Sequence, residues 1–223
     1  MLESAALARA IEAVRERIAG ACARSGRRPE EVRLIGVTKT VAPEAVEAAA
    51  AAGLEDFGEN YVQEMERKRA AAPDATWHFL GRVQSNKAGR IVDASDLIHG
   101  AEPGRAADQV AAIGQERRRP VPVLVEVDFT GRRVGAAPDD AERFVSQLAE
   151  LPGLEVQGLM TLPPQGERPG PYFARLRDLR DEISRRLPDV RELSMGMSAD
   201  LEDAVEEGAT MVRVGTAIFG ARP

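Results

Sequence analysis

Cysteine and histidine are scarce in this sequence, and their scarcity excludes several classes of protein. The single cysteine, Cys22, has no partner for an internal disulfide. One cysteine and two separated histidines form no cluster with the spacing of zinc ligands. No apolar run approaches the roughly 20 residues that a membrane-spanning helix needs. The sequence therefore predicts no disulfide framework, no metal site and no membrane role.

Basic residues are in the minority, which argues against nucleic-acid binding. The chain has 36 Asp plus Glu against 30 Lys plus Arg, a net charge of -6. Such a chain has no broad basic field to attract a phosphate backbone. The start, Met1-Leu2-Glu3-Ser4, carries an acid where a secretory leader carries basic residues. These features predict a cytoplasmic protein that does not bind nucleic acid.

Length and composition predict one domain that spans residues 1–223. A chain of 223 residues, 43% hydrophobic and 30% charged, is long enough for one large core. An amphipathic helix comes first, with Leu7, Ile11, Val14 and Ile18 on one apolar stripe. A strand-then-helix pattern follows and repeats eight times. The predicted strands are 32–38, 54–58, 76–81, 96–99, 121–129, 154–161, 190–194 and 210–215.

The alternation of strands and helices predicts a parallel sheet. Helical patterns begin near Pro43, Asn60, Ser85, Pro103, Pro138, Pro171 and Ser198. Consecutive parallel strands need crossover connections, which are usually right-handed helices. Eight such units predict an α/β fold, a single (β/α)8 TIM-type barrel with an extra N-terminal helix. An open, doubly wound sheet is the alternative.

Lys39 ends the apolar run Val32-Arg33-Leu34-Ile35-Gly36-Val37-Thr38-Lys39, which has strand character. A primary amine held against an apolar core is partly desolvated, which favours its neutral form and imine formation with an aldehyde. A solvated charge at the end of a strand is the simpler interpretation of this segment alone. The carboxyl ends of barrel strands converge on one face, so the prediction there is a pocket that contains Lys39.

Arg213 and two small-residue turns indicate that this pocket accepts an anion. Barrel closure makes the eighth strand the neighbour of the first, which brings Arg213 close to Lys39. Two adjacent cations are unfavourable unless an anion joins them. The turns Ser194-Met195-Gly196-Met197-Ser198 and Gly215-Thr216 both suit a phosphate. Ser198 is equally consistent with a plain N-cap, and Gly215-Thr216 with a plain turn.

Seven strings, spread over nearly the whole chain, resemble those of the YggS/PROSC family of pyridoxal 5′-phosphate-binding homeostasis proteins. They are Val37-Thr38-Lys39-Thr40, Phe57-Gly58-Glu59-Asn60-Tyr61-Val62-Gln63-Glu64, Trp77-His78-Phe79-Leu80-Gly81, Gln84-Ser85-Asn86-Lys87, Gly158-Leu159-Met160-Thr161, Ser194-Met195-Gly196-Met197-Ser198 and Arg213-Val214-Gly215-Thr216-Ala217-Ile218-Phe219-Gly220. The resemblance implies an alanine racemase-like, fold type III barrel that holds pyridoxal phosphate (PLP) as a Schiff base on Lys39. It establishes no catalytic residue.

The resemblance also implies a set of cofactor-binding residues. Asn60 is implied to lie near the ring hydroxyl and Arg213 to face the pyridine nitrogen. Phosphate contacts are implied for three residues, and two more are implied to line the site. The phosphate-binding residues are Ser198, Gly215 and Thr216, and the lining residues are Met197 and His78. Together with Lys39, Asn60 and Arg213 they make a set of eight.

The chain departs from the family pattern in two regions. Arg82-Val83 stands where the family often has His-Leu. Asp128 and Arg132-Arg133-Val134-Gly135 stand where it often has an Asn and a Ser-Lys-Ser-Gly stretch. Both departures fall in predicted rim loops, so they bear on partner contacts and secondary ligand contacts. The lysine and phosphate strings are intact.

The predicted function is PLP homeostasis and transfer by a non-catalytic, monomeric protein, with PLP and apo PLP-dependent enzymes as partners. An arginine only donates hydrogen bonds, so Arg213 would leave the ring nitrogen unprotonated and discourage carbanion chemistry. Two alternatives remain open. An amino-acid racemase needs a second acid–base group, for which Tyr61 is the candidate. A Schiff-base aldolase would use Lys39 without a cofactor.

Overall fold

The computed structural model describes residues 2–220, with side chains from Ser4 onward, and the eight strands of this part close into a barrel. Every strand runs parallel to its neighbours in chain order, and the last strand pairs with the first. The strands are β1 (Arg33–Val37), β2 (Asp56–Glu59), β3 (Thr76–Phe79), β4 (Leu97–Ala101), β5 (Val121–Glu126), β6 (Leu154–Met160), β7 (Glu192–Ser194) and β8 (Met211–Val214). The barrel prediction is confirmed, and the open-sheet alternative is wrong.

Helices surround the barrel and connect successive strands. Within residues 2–220 they are α1 (Leu2–Ser25), α2 (Pro43–Ala51), α3 (Val62–Arg69), α4 (Ala88–Ala94), α5 (Arg105–Glu116), α6 (Ala141–Ala149), α7 (Gly170–Ser184), α8 (Leu201–Glu206) and α9 (Thr216–Phe219). The starts predicted at Ser85 and Pro138 fall on short 3-10 turns that lead into α4 and α6. The start predicted at Ser198 falls three residues before α8. Cap residues thus mark the approach to a helix better than its first turn.

The N-terminal helix α1 packs against α2, α8 and α9. Its predicted stripe is buried at Ile11, Val14 and Ile18, which are at most 3% exposed. Arg17 extends the contact, since its guanidinium donates to the Glu202 carboxylate at 2.6 Å and to the Ser198 carbonyl oxygen at 3.0 Å. The helix therefore supports the loop between β7 and α8 from outside.

Apolar side chains fill both the barrel interior and the layer between strands and helices. The outer layer includes Phe57 and Trp77, whose stacked rings lie 5.4 Å apart. Alternation along each strand decides which layer a side chain enters. The interior cluster contains Ile35, Leu97, Leu124, Met160 and Met211.

Within residues 2–220, none of the helices combines the length and apolarity that a bilayer crossing requires. No three His, Cys, Asp or Glu side chains of the described part are grouped as metal ligands would be.

Candidate functional site

A cavity of about 590 Å³ opens at the face where the strands end. Its walls come from residues at or just after the ends of β1, β2, β3, β6, β7 and β8, as expected for a parallel barrel. Seven of the eight residues predicted to bind a cofactor line it: Lys39, Asn60, Met197, Ser198, Arg213, Gly215 and Thr216. The fold therefore assembles one site from segments that are far apart in sequence.

Lys39 is the lysine of this cavity. The chain has three lysines, Lys39, Lys68 and Lys87, all within the described residues, and of these Lys39 alone lines the cavity. It lies two residues beyond β1 and is half-buried. Strand β1 pairs with β8 such that Ile35 is opposite Arg213. Lys39 and Arg213 thus come from neighbouring strands and line the same space.

Lys68 occupies a different environment, a buried group of charges beside β1 and β2 that we call the Lys68 cluster (Thr38, Glu59, Glu64 and Lys68). Lys68 Nζ donates to Glu59 Oε1 at 2.5 Å, to the Thr38 carbonyl oxygen at 2.6 Å and to Glu64 Oε2 at 2.9 Å. Thr38 Oγ1 donates to Glu59 Oε1 at 2.7 Å. Since three oxygens hold Lys68 Nζ, Lys39 is the amine left facing the cavity.

The Lys68 cluster also holds the backbone on both sides of Lys39. Thr38 is bound through its side chain and its carbonyl oxygen. Thr40 has a φ of 65°, a conformation uncommon for a non-glycine residue, and its N–H donates to Glu64 Oε2 at 3.1 Å. Burial raises the pKa of Glu59, and the Lys68 and Thr38 hydrogen bonds oppose that rise. The cluster thus determines where the chain turns and where the Lys39 side chain begins.

Replacing Lys68 by methionine is expected to destabilise the protein by about 3 kcal/mol, because removing one partner of a buried ion pair leaves the other uncompensated. Glu59 has no exposed side-chain surface and Lys68 only 5%. Urea unfolding of the variant would measure the loss. Lys87→Met is the matched control and should change the free energy of unfolding by less than about 0.5 kcal/mol. Adding Glu59→Gln to Lys68→Met should recover part of the loss. Equal stability of Lys68→Met and wild type would contradict the prediction.

Arg213 contributes a buried cation to the cavity. The residue is 5% exposed, and its guanidinium donates through Nη1 to Ser194 Oγ and through Nη2 to the Thr161 carbonyl oxygen at 2.8 Å. Burial lowers the pKa of Arg213 to about 10, while Glu126 and Asp200 act in the opposite direction. At neutral pH the group therefore remains positively charged and able only to donate.

Two hydroxyl groups meet in the cavity wall. Thr216 Oγ1 lies 3.3 Å from Ser198 Oγ, and the Ala217 N–H donates to the same Ser198 oxygen at 3.3 Å. The alternative interpretation of Ser198 as a plain N-cap is wrong, because α8 begins at Leu201 and its N-cap is Asp200. Ser198 Oγ instead faces the start of α9, where hydroxyl and amide donors converge.

The backbone of the β7–α8 loop requires a glycine. Gly196 has a φ of 91°, and a Cβ at this position would lie 2.5 Å from Ala204 Cβ. Its carbonyl oxygen accepts from the Arg213 N–H at 2.9 Å, which ties the loop to β8. The Met197 N–H donates to Asp200 Oδ1 at 2.5 Å. These contacts fix the loop so that Met197 and Ser198 face the cavity.

The cavity rim is partly apolar and partly solvated. Met197 lines the cavity and is 39% exposed, whereas Tyr61 is 60% exposed. Asn60, which precedes Tyr61, lines the cavity. Arg133, in the loop where the sequence departs from the family pattern, also lines it and donates to Glu126 Oε1 at 3.1 Å.

His78 does not lie where the resemblance implied, since it is absent from the cavity wall. Its ring is fully buried in the barrel interior. Nε2 lies 2.8 Å from Asp56 Oδ1, and Nδ1 lies 3.0 Å from Nε2 of His99. Both ring nitrogens are therefore already paired with protein groups. The predicted lining role of His78 is corrected to a position below the cavity floor, among side chains that cross the barrel.

Sequence reasoning missed the Lys68 cluster and the pairing of His78 with Asp56 and His99. One signal was available in β2, whose short sequence Asp56-Phe57-Gly58-Glu59 places two acids at positions that proved buried. Buried acids require partners. The sequence does not identify those partners, because Lys68 comes from α3 and His78 from β3.

His99 provides a pH-dependent prediction. Its pKa is lowered well below 6.5, chiefly by burial, and the nearby cations Arg213 and Arg33 lower it further. A group with a depressed folded-state pKa contributes stability that is present above its unfolded pKa and is lost as the pH falls below it. Acidification from pH 7 to 5 should therefore destabilise wild type more than His99→Gln, by up to about 1.4 kcal/mol per pH unit.

Comparing the pH dependence of stability in wild type and in His99→Gln isolates the contribution of His99. Glu59, Glu126 and Asp200 have pKa values raised by burial, so their protonation favours the folded state on acidification. These groups are common to both proteins and their contribution cancels in the difference. Chemical denaturation at several pH values would measure the difference in the free energy of unfolding between wild type and His99→Gln. Parallel stability curves for wild type and His99→Gln would contradict the prediction.

Sequence comparison connects this barrel with proteins of known class. The sequence profile of the alanine racemase N-terminal domain matches residues 10–223. The pyridoxal phosphate homeostasis protein of Aquifex aeolicus is 42% identical over 220 aligned positions, and the alignment covers 94% of this chain and 95% of that protein. The protein with the same name from Pseudomonas aeruginosa is 41% identical over 223 aligned positions, and the alignment covers 97% of this chain and 96% of that protein.

Solved structures give the same relationship in three dimensions. PipY of Synechococcus elongatus, solved with PLP bound, superposes with a TM-score of 0.81 at 38% identity, covering 93% of this chain and 100% of its own. An unknown protein from Bifidobacterium adolescentis has a TM-score of 0.91 at 32% identity and covers 98% and 96% of the two chains. Alanine racemase from Corynebacterium glutamicum has a TM-score of 0.77 at 17% identity, covering 99% of this chain and 61% of its own, and shows the shared fold.

The closed parallel barrel, with a lysine at the end of its first strand and an arginine on its last, defines the class of alanine racemase-like barrel domains. Within that class the chain belongs to the YggS/PROSC family, the pyridoxal phosphate homeostasis proteins. The family predicted from the sequence is confirmed.

Proposed function

We propose that this protein binds PLP in the cavity, holds it as a Schiff base on Lys39, and serves in intracellular PLP homeostasis and transfer. The observation that carries the proposal is the convergence of Lys39, Arg213 and the Ser198–Thr216 hydroxyl pair on one cavity. Relatives named pyridoxal phosphate homeostasis protein, and the PLP-bound structure of PipY, support it.

The chemical groups of the cavity match those of PLP. When bound, PLP supplies an aldehyde that condenses reversibly with a primary amine, with the release of one water molecule. Lys39 provides that amine. Ser198, Gly215 and Thr216 provide hydroxyl groups and a backbone without a side chain, which suits a phosphate. Asn60, proposed to lie near the ring hydroxyl, is part of the same wall.

The character of Arg213 supports storage over catalysis. A guanidinium that faces the pyridine nitrogen donates to it and does not accept a proton from it. The ring then remains a weak electron sink, which disfavours proton abstraction from a bound amino acid. Tyr61, the candidate for a second acid–base group, is 60% exposed at the rim. A non-catalytic or weakly catalytic carrier is consistent with both features.

The proposal extends to transfer. A reversible bond to Lys39 allows release of the aldehyde, so apo PLP-dependent enzymes are the proposed recipients, with a cytoplasmic location and a monomeric carrier. Mixing the PLP-loaded protein with an apo PLP-dependent enzyme, with and without a scavenger of free aldehyde, would test direct transfer. Sedimentation of the loaded protein would test the monomer.

Absorbance titration of purified protein with PLP is the experiment that tests the binding function. A visible band that saturates at one PLP per chain is the expected result. A protein that stays colourless with added PLP would contradict it and favour the cofactor-free aldolase. Exchange of an amino-acid α-proton into heavy water, dependent on Lys39, would favour the racemase.

A further inference from the structure

Five polar side chains form a continuous hydrogen-bonded chain across the barrel interior, which we call the relay (Asp56, His78, His99, Ser194 and Arg213). Asp56 Oδ1 lies 2.8 Å from His78 Nε2, and His78 Nδ1 lies 3.0 Å from His99 Nε2. His99 Nδ1 lies 3.0 Å from Ser194 Oγ, which accepts from Arg213 Nη1. The relay begins on β2 and ends at the cavity on β8.

The relay is buried along its whole length. None of the five residues is more than 9% exposed, and the two histidines and Ser194 have no exposed surface. An apolar cluster that includes Leu124 and Met160 fills other parts of the same interior. Apolar side chains generally fill such space at no desolvation cost, whereas a polar chain must have every member paired. The presence of hydrogen-bonded polar side chains, where apolar ones would fill the space, indicates that the relay has a role other than packing the barrel interior.

The chemistry of the two ends of the relay sets the direction in which its hydrogen bonds are donated, from Arg213 towards Asp56. Arg213 only donates, so Ser194 Oγ accepts from it and turns its own hydrogen toward His99 Nδ1. His99 then carries its hydrogen on Nε2 and donates to His78 Nδ1. His78 in turn donates from Nε2 to the Asp56 carboxylate. Both imidazoles are neutral Nε2–H tautomers in this arrangement, and each link from Arg213 to Asp56 pairs one donor with one acceptor.

Protonation of His78 would disrupt this order. His78 Nδ1 would then donate to His99, and His99 Nδ1 would donate to Ser194. The Ser194 oxygen would accept from two sides, and its own hydrogen would lose the acceptor that it has in the neutral arrangement. The directional form is therefore the one that pairs all five groups.

Arg213 is held at two further points around the relay. Nη2 donates to the Thr161 carbonyl oxygen at 2.8 Å, and the main-chain N–H donates to Gly196. The charges that act on the guanidinium are Glu126 and Asp200, which favour its cationic form, and Arg133, which opposes it. Five N–H donors exceed the two side-chain bonds, so the guanidinium retains donors for a ligand in the cavity.

We propose that the relay is a positioning device: Asp56, His78, His99 and Ser194 hold the Arg213 guanidinium in one orientation for the ring nitrogen of bound PLP. The inference rests on the proposed function, because it requires that ring in the cavity. Ser194 is the direct anchor, and the histidines and Asp56 act through it. None of these four residues lines the cavity, so they are positioning residues.

The first part of the test uses the ligand-free protein. Nitrogen NMR of the imidazoles is well suited, because the chain has two histidines. At pH 7 each ring is expected to show one protonated and one unprotonated nitrogen, with the hydrogen on Nε2 in both. Ser194→Ala should change the tautomer balance of His99. A hydrogen on Nδ1 of His99, or a doubly protonated ring at pH 7, would overturn the relay.

The second part measures PLP binding by absorbance in three variants. Ser194→Ala should weaken PLP binding about 10-fold, as expected for loss of one hydrogen bond to a charged group, and should shift the pH midpoint of the visible band. Ser194→Thr keeps the hydroxyl and should retain the wild-type midpoint. Thr210→Val is the matched control, since it removes a hydroxyl that bonds Glu192 and Leu193 outside the relay. It should leave both quantities near wild type.

The outcomes separate the two proposals. Wild type that fails to bind PLP overturns the proposed function and the positioning role together. Wild type that binds PLP, with Ser194→Ala equal to it in affinity and in pH midpoint, overturns the positioning role alone. Equal shifts in Ser194→Ala and Thr210→Val would also overturn it, since the effect would then be a general loss of stability.

Discussion

Lys39→Ala is expected to abolish the visible band that PLP produces and the covalent label that borohydride leaves after PLP is added. Borohydride reduces an imine to a stable amine, so the label marks the lysine that formed the Schiff base. Of the three lysines, Lys39 alone lines the cavity, and the oxygens of the Lys68 cluster hold Lys68. Mass spectrometry of the digested protein would locate the label.

The other two lysines provide matched controls. Lys87→Ala should keep both the band and the label, because Lys87 lies on the 3-10 turn after β3 and away from the cavity. Label on the peptide that contains Lys68 or Lys87 in wild type would refute the Schiff-base assignment. Loss of the band in Lys87→Ala would refute the location of the site.

The double variant Ser198→Ala with Thr216→Ala is expected to weaken PLP binding by at least about 100-fold, since each hydroxyl bond to a charged phosphate contributes about 1.5 to 3 kcal/mol. The two oxygens lie 3.3 Å apart, and Ser198 Oγ also accepts from the Ala217 N–H. Pyridoxal, which lacks the phosphate, should bind the variant and wild type with similar affinity. Paired absorbance titrations with PLP and pyridoxal would measure the difference.

Pyridoxal makes this prediction specific to the phosphate. A variant that loses PLP and pyridoxal equally would show that the substitutions disturb the cavity as a whole. A variant that keeps wild-type PLP affinity would show that the phosphate lies elsewhere. Thr210→Val again serves as the control for a removed hydroxyl, since Thr210 bonds Glu192 and lies outside the cavity.

Much of the barrel was predictable because its signals are local. The eight apolar runs alternate with helical patterns, and short crossover connections permit few topologies other than the one observed. The ends of the elements were less predictable. The run predicted as strand 121–129 forms β5 only over Val121–Glu126, with an isolated bridge at Val127, and Asp128 then binds the backbone of Thr130 and Arg133. Strand propensity, which is read from the local sequence, does not reveal such side-chain contacts.

The cavity was predictable to the extent that topology places strand ends together. Lys39 and Arg213 were expected to be neighbours from barrel closure, and β1 and β8 pair as that argument requires. His78 was misplaced because resemblance conveys which residues recur and not which way each side chain points. Its actual partners, Asp56 and His99, lie on two other strands.

The sequence by itself determined the parallel barrel, its N-terminal helix and the identity of the residues at the strand ends, because periodicity and chain connectivity are local properties. Only the tertiary structure decided which charged groups are buried against each other. The Lys68 cluster leaves Lys39 facing the cavity, and the relay carries hydrogen bonds from Asp56 to Arg213. Such pairings depend on register, on burial and on the direction of each side chain, which are established only when the barrel closes.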